Sequence, residues 1–164
     1  MGNVGAGTGA TVGKAMGREF AMNGGVGTAS VSLENGVIVA AIAVVNALGD
    51  IYDSATGRLL AGAKKDGKII PSARAITENL EFGNTTIGVI ATNARLTREQ
   101  CNKLASLAHD GLALAIRPVH TSMDGDTFFA LSTGELENRP FLPIQAVAAE
   151  VVSRAIADAV SHGA

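Results

Sequence analysis

Nine consecutive apolar residues, Val37-Ile38-Val39-Ala40-Ala41-Ile42-Ala43-Val44-Val45, follow an Asn35-Gly36 turn. Such a run shows no polar alternation, so it reads as a strand covered on both faces, in the middle of a buried sheet. At nine residues it is far short of the ~20 that a bilayer-spanning helix needs. Glu34-Asn35-Gly36 between apolar runs is a strong hairpin signal and pairs strands at residues 28–35 and 37–46. A strand of this kind constrains the chain to a layered architecture, with other elements packed on the sheet. Length and composition allow it. The 164 residues fit one domain, and 47% hydrophobic against 17% charged residues is a globular balance.

The rest of the chain supplies the layers. Residues 1–27 are rich in glycine, which suggests tight turns near a site or a neighbouring chain, with a short helix around Lys14–Met22. Residues 49–84 carry Gly57, Gly62, Gly67, Lys64-Lys65 and Pro71 and read as a loop-rich excursion. Composition favours a plain flexible connection there. The functional alternative is a linker that strains one peptide bond. At Thr85 the pattern changes: Thr85-Thr86-Ile87-Gly88-Val89-Ile90-Ala91-Thr92 is β-branched and apolar, a further buried strand. Thr97-Arg98-Glu99-Gln100 matches a capping box. Apolar residues at 101, 104, 105, 108, 112 and 115 then recur at helical spacing up to Pro118. Residues 127–132 read as another strand. A last helix opens near Pro143, with an apolar face at 144, 147, 148, 151, 152, 155 and 159, and Gly163 just past its end. The order is α+β, with helices covering sheet faces.

Several function classes are disfavoured. The net charge of −2 comes with no basic run to neutralise phosphates, and the absence of Trp argues against base-stacking, so no nucleic-acid partner is expected. No membrane span or signal peptide is expected either. The single cysteine, Cys101, cannot close an internal disulfide, so a reducing, cytoplasmic location is expected. Cys101 stands in the first turn of a helix but on its apolar face, which favours a core thiol.

Four constellations could carry chemistry. Gly5-Ala6-Gly7-Thr8-Gly9-Ala10-Thr11-Val12-Gly13-Lys14 resembles a phosphate loop, but position 8 is Thr where that motif needs Gly, and Ala15 stands where it needs Ser or Thr. The plain reading is a packing turn with Lys14 in solvent. Asp124-Gly125-Asp126-Thr127 places two carboxylates at a strand entry. They suit a proton relay or metal site, though the calcium-loop spacing fails and an ordinary Asp-Gly turn is the plain reading. His109, His120 and His162 show no metal-ligand spacing, and no Gly-x-Ser-x-Gly elbow seats a serine, so each reads as structural or solvated. Finally, Gly83-Asn84-Thr85-Thr86 sits at the loop-to-strand junction. A free N-terminal Thr is a compact catalyst, because its hydroxyl can attack while its own α-amine takes the proton. By itself the junction is a polar turn before a strand.

Taken in order, five stretches resemble the DmpA/BapA-type β-aminopeptidases (L-aminopeptidase/D-esterases) and the similar self-processing nylon-oligomer hydrolases. They are Gly2-Asn3-Val4-Gly5-Ala6-Gly7-Thr8-Gly9, Gly24-Gly25-Val26-Gly27-Thr28-Ala29, Val44-Val45-Asn46-Ala47-Leu48-Gly49-Asp50, Asn84-Thr85-Thr86-Ile87-Gly88-Val89-Ile90-Ala91-Thr92-Asn93, and Asp124-Gly125-Asp126-Thr127-Phe128-Phe129-Ala130-Leu131. The resemblance implies a layered αββα sandwich, similar to that of ornithine acetyltransferases. It implies that residues 1–164 are the C-terminal part of a longer family fold, since family precursors begin well before the Gly-Asn-Val-Gly stretch. It further implies self-cleavage between Asn84 and Thr85 into an α chain ending at residue 84 and a β chain of residues 85–164. Thr85 would be the nucleophile and Asp124 and Asp126 its assistants. Asn46 would serve the oxyanion hole, and Lys14 would act on the amine's pKa or on the oxyanion. No cofactor is implied. The expected substrate is a small peptide, amide or ester, and the expected assembly a homo-oligomer of processed units. An acyltransferase on the same scaffold and a non-catalytic fragment or homologue are the alternatives.

Overall fold

The computed structural model describes residues 1–71, 76 and 83–161. His162 and Gly163 lie outside the described residues. The main sheet has four strands in the order β11-β9-β4-β3: Thr127–Leu136, Thr85–Ala94, Ile38–Asn46 and Gly25–Ser32. β3 and β4 form the hairpin around Asn35-Gly36, in register from Gly25↔Val45 to Ser32↔Ile38. The first strand starts earlier than the sequence reading, because Gly25 and Gly27 sit inside it. β9 is antiparallel to β4 and parallel to β11.

Two long helices cover one face of this sheet. α1 (Arg98–Ala115) opens on the expected capping box: the Thr97 hydroxyl accepts from the Gln100 N–H, and the Gln100 side chain accepts from the Thr97 N–H. α2 (Phe141–Ser161) starts two residues before Pro143, which therefore lies in its first turn. The core between helices and sheet holds Val39, Ala43, Val45, Ile90, Leu104, Leu112, Ile144, Val151 and Ile156, all fully buried. Two glycines set the spacing. A Cβ on Gly27 would stand 2.1 Å from the Ala155 carbonyl oxygen, and one on Gly111 would stand 2.6 Å from Val152 Cβ. The sheet and both helices therefore approach backbone to backbone.

The opposite face of the sheet corrects one sequence expectation. β4 is central, but only one of its faces is covered: Val39, Ala41, Ala43 and Val45 are buried, whereas Ile38 and Ile42 are 44% and 45% exposed. Ile87, Phe129 and Leu131 continue the open apolar face on the neighbouring strands. No element among the described residues packs on it. The chain thus forms one helix layer and one sheet layer of a sandwich.

Two further expectations are revised. Residues 14–22 form no α-helix but two 3₁₀ turns, Lys14–Met16 and Arg18–Phe20, then β2 (Met22–Asn23), which pairs with β1 (Thr11–Val12). Gly13 at φ 71° and Gly17 at φ 117° break the helical path. Among its described residues the excursion after residue 49 is loop-rich but not unbroken loop. It contains β5 (Asp50–Tyr52), β6 (Leu59–Ala61), β7 (Ala63–Lys65) and β8 (Lys68–Ile70). β5 joins β6 and β10 (Ile116–Arg117) in a second, three-stranded sheet. Strands of two or three residues carry too little periodicity to be read from sequence. Among the described residues no helix is long and apolar enough to cross a membrane.

Candidate active site

The site is built where β4 ends and β9 begins. Antiparallel register sets Asn46, the last residue of β4, opposite Thr85, the first of β9. On the other side, the segment entering β11 runs parallel to the segment entering β9, and Asn84 bridges Asp124. Sheet topology therefore brings together 46, 84–85 and 124–126, three stretches far apart in sequence.

Two groups converge on the Asn84–Thr85 peptide and a third holds the peptide before it. The Thr85 hydroxyl donates to the Asn84 carbonyl oxygen at 2.6 Å. The Gly125 N–H donates to that same oxygen at 2.9 Å. The Asn46 side-chain amide donates to the preceding carbonyl, that of Gly83, at 2.8 Å. Asn84 itself is buried, and its amide donates to the Met123 carbonyl at 3.4 Å. The junction is thus gripped on consecutive carbonyls, with Gly83 in a left-handed backbone at φ 112°.

Each aspartate has its own holder. Asp124 Oδ2 accepts from both the N–H and the hydroxyl of Thr121, at 2.9 and 2.7 Å. Asp126 Oδ1 accepts from the Thr86 N–H at 2.8 Å, immediately after Thr85. His120 Nδ1 lies 2.9 Å from Asp126 Oδ2.

Lys14 is not solvated as the packing-turn reading had it. Its N–H donates to the Leu48 carbonyl and its Nζ to Asn46 Oδ1 at 2.9 Å and to the Asn46 carbonyl at 3.3 Å. The Thr11 N–H also donates to Asn46 Oδ1, at 3.1 Å. The Lys14 pKa is lowered from 10.5 to about 8, first by burial from water and second by the nearby Arg18 charge, while Asp124 acts to raise it. An ammonium stripped of solvent gives up its proton more readily.

All six residues expected from sequence, Lys14, Asn46, Asn84, Thr85, Asp124 and Asp126, fall in this one cluster. In the uncut chain Asn46 holds Gly83, and the donor on the Asn84 carbonyl is Gly125. Sequence reasoning missed Gly125, Thr121 and His120. A backbone N–H leaves no signature in residue type. Thr121 had none either, and His120 was visible only as one histidine among three. Among the described residues no three His, Cys, Asp or Glu side chains gather as a metal site.

Chemically, the cluster can activate a hydroxyl beside a carbonyl. The Thr85 hydroxyl lies on the Asn84 carbonyl oxygen, and the Gly125 N–H donates to that same oxygen, where negative charge would develop in an attack on this carbonyl and where an oxyanion-hole donor would stand.

Comparison with known proteins gives the chain a family. Residues 1–164 match the family described as Peptidase family S58. An uncharacterized aminopeptidase of Mycobacterium leprae (strain TN) is 44% identical over 145 residues, covering 84% of this chain and 38% of that protein. A 6-aminohexanoate-oligomer endohydrolase of Kocuria sp. (strain KY2) is 34% identical over 111 residues, 62% of this chain and 31% of that protein. Among solved structures, a Burkholderia sp. beta-aminopeptidase superposes with a TM-score of 0.64 at 25% identity, covering 96% of this chain and 45% of its own. An L-aminopeptidase D-Ala-esterase/amidase from Ochrobactrum anthropi, described as a variant of the Ntn-hydrolase fold, superposes with a TM-score of 0.64 at 22% identity over 96% of this chain and 44% of its own, which speaks to fold alone. The chain spans 38–39% of the length of the mycobacterial relatives it matches.

Proposed function

The chain belongs to peptidase family S58, and on that premise we propose that it carries the self-processing, amide-hydrolysing site of an aminopeptidase, with Thr85 as nucleophile. The observation that carries this reading is the Asn84 carbonyl oxygen, which receives both the Thr85 hydroxyl at 2.6 Å and the Gly125 N–H at 2.9 Å. A hydroxyl so placed on its own preceding carbonyl is poised for an N-to-O shift.

In the first stage Thr85 Oγ attacks the Asn84 carbonyl carbon. The C–N bond breaks, the hydroxyl proton passes to the Thr85 nitrogen, and an ester joins the two residues. Water hydrolyses the ester, leaving an Asn84 carboxylate and a Thr85 with free hydroxyl and α-amine. Gly125 supports the oxyanion throughout.

In the second stage Thr85 Oγ attacks the carbonyl of a small peptide, amide or ester, and the α-amine takes the hydroxyl proton. The leaving group departs with that proton. Water then resolves the acyl-enzyme. Release of Gly83 frees the Asn46 amide to donate to the substrate carbonyl. Lys14, which gives up its proton near pH 8, tunes the amine beside it, and Asp124 and Asp126 orient the nucleophilic end of β9. The working unit in this reading is a cytoplasmic homo-oligomer of cleaved chains, with the substrate pocket completed by parts of a longer protein. The aminopeptidase and 6-aminohexanoate-oligomer endohydrolase names of the relatives support amide substrates.

Intact-mass measurement with N-terminal sequencing tests the proposal. The expected result is two polypeptides, one beginning at Thr85, and a single uncut, inactive chain for Thr85→Ala. Full peptidase activity in Thr85→Ala, or activity from a chain that never cuts, overturns it.

A further inference from the structure

The Asp126 side chain, close to Thr85, is only 4% exposed. One carboxylate oxygen is committed to the Thr86 N–H. The other, Oδ2, is buried and makes no hydrogen bond among the described residues. The polar group that reaches it is the imidazole of His120, with Nδ1 at 2.9 Å. A buried carboxylate oxygen left without such a neighbour is costly, and the side chain would turn to find another.

His120 is also conformationally unusual. Its backbone lies at φ 54°, the left-handed region that favours glycine and asparagine over other residues. Strain of this kind persists only where the surroundings enforce it. The His120 side chain is itself 37% exposed, with its Nδ1 on the Asp126 side. The ring lies against His109 of α1 at a centroid distance of 5.0 Å, and His109 in turn meets the Phe128 ring at 6.1 Å. The imidazole is therefore seated on α1 with its Nδ1 edge toward Asp126.

We propose that His120 is a positioning residue: through Nδ1 it holds the Asp126 carboxylate against the Thr86 amide and so fixes the start of β9, where Thr85 presents its hydroxyl. The kinetic consequence rests on the Thr85 reading above, while the effect on Asp126 stands apart from it.

The test uses two variants that both accept a left-handed backbone. His120→Asn keeps a donor near the Nδ1 position, and His120→Gly has none. The first readout is amide hydrogen exchange in the full chain. In His120→Gly the Thr86 amide exchanges at least about tenfold faster, as its Asp126 partner is released. In His120→Asn it stays within about threefold of wild type, and the Ile90 amide in mid-β9 is unchanged in both. The second readout is the rate of the Asn84–Thr85 cut and, in processed protein, kcat: both fall about tenfold in His120→Gly with KM unchanged, and His120→Asn restores them. Equal behaviour of the two variants overturns the proposal, as does wild-type Thr86 exchange in His120→Gly. A wild-type chain that never cuts, with Thr86 exchange responding as stated, defeats the Thr85 reading and leaves the positioning contact standing. Normal cutting in His120→Gly with an unmoved Thr86 amide defeats the positioning contact alone.

Discussion

A side chain at Gly125 would crowd the Thr85 hydroxyl. A Cβ there would stand 2.9 Å from Thr85 Oγ1, so Gly125→Ala forces the hydroxyl off the carbonyl it addresses. The expected outcome is a folded chain whose self-cleavage slows by about 10- to 100-fold, read from an intact-mass time course. An unchanged rate would remove Gly125 from the mechanism. Lys14 yields a second prediction. Burial disfavours its ammonium, so its pKa is about 8 in the folded chain against 10.5 in the ordinary case. Between those values the unfolded chain binds more protons, and stability rises with pH. Below pH 8 the penalty for the buried charge is fully present. Lys14→Met removes that penalty along with the bonds to Asn46. Denaturant midpoints from pH 7.5 to 10 should therefore move in favour of wild type relative to Lys14→Met as pH rises, and a constant difference would count against a titrating Lys14. These two residues mark what was legible in sequence at this scale. Thr85, Asp124 and Asp126 meet the junction through side chains, and motif matches taken in order pointed to them. Gly125 acts through an N–H that every residue but proline owns. His120 depends on a backbone angle that no residue name announces.

Among the elements, the hairpin β3–β4, strand β9 and helix α1 were legible because each carries a local signal: an Asn-Gly turn, a β-branched run, a capping box. The strands between residues 50 and 70 were not, since partners distant in sequence define them, as when β5 pairs with β10. The helix–sheet junction was also hidden. Gly27 sits within β3 where a branched residue would suit the strand better, and only the passage of α2 explains it. A Cβ there would stand 2.1 Å from the Ala155 carbonyl oxygen and 2.3 Å from the Ala159 nitrogen. Both are backbone atoms of a long helix and cannot step aside singly. Gly27→Ala is therefore expected to cost about 2–3 kcal/mol. Thr97→Ala, which removes only the α1 cap, is expected to cost about 1 kcal/mol. Urea unfolding at neutral pH ranks the two. The reverse order would mean that α2 rides on the sheet more loosely than the contact requires.

For the molecule as a whole, the open sheet face is the feature that composition anticipated and topology left incomplete. Val37 to Val45 reads as apolar on both sides because both sides are apolar, yet α1 and α2 cover only one. Exposed Ile42, Ile87, Phe129 and Leu131 spread over three adjacent strands, so this is a contiguous patch and not scattered surface residues. The relatives of known structure extend well beyond the matched part, which is 45% of the Burkholderia sp. beta-aminopeptidase chain. A second layer over this face is what an αββα sandwich supplies. The 164-residue chain studied by itself is accordingly expected to bind a hydrophobic dye while retaining native helical circular dichroism, and to self-associate with rising concentration. Ile42→Thr combined with Leu131→Thr keeps strand-favouring shapes but adds polarity to the patch. Dye fluorescence and association should both fall, with the unfolding midpoint little changed, because neither side chain reaches the core beneath α1 and α2. Dye binding that survives the double substitution, together with a lowered midpoint, would mean that the dye reports a loosened core and that the open face is not the adhesive surface.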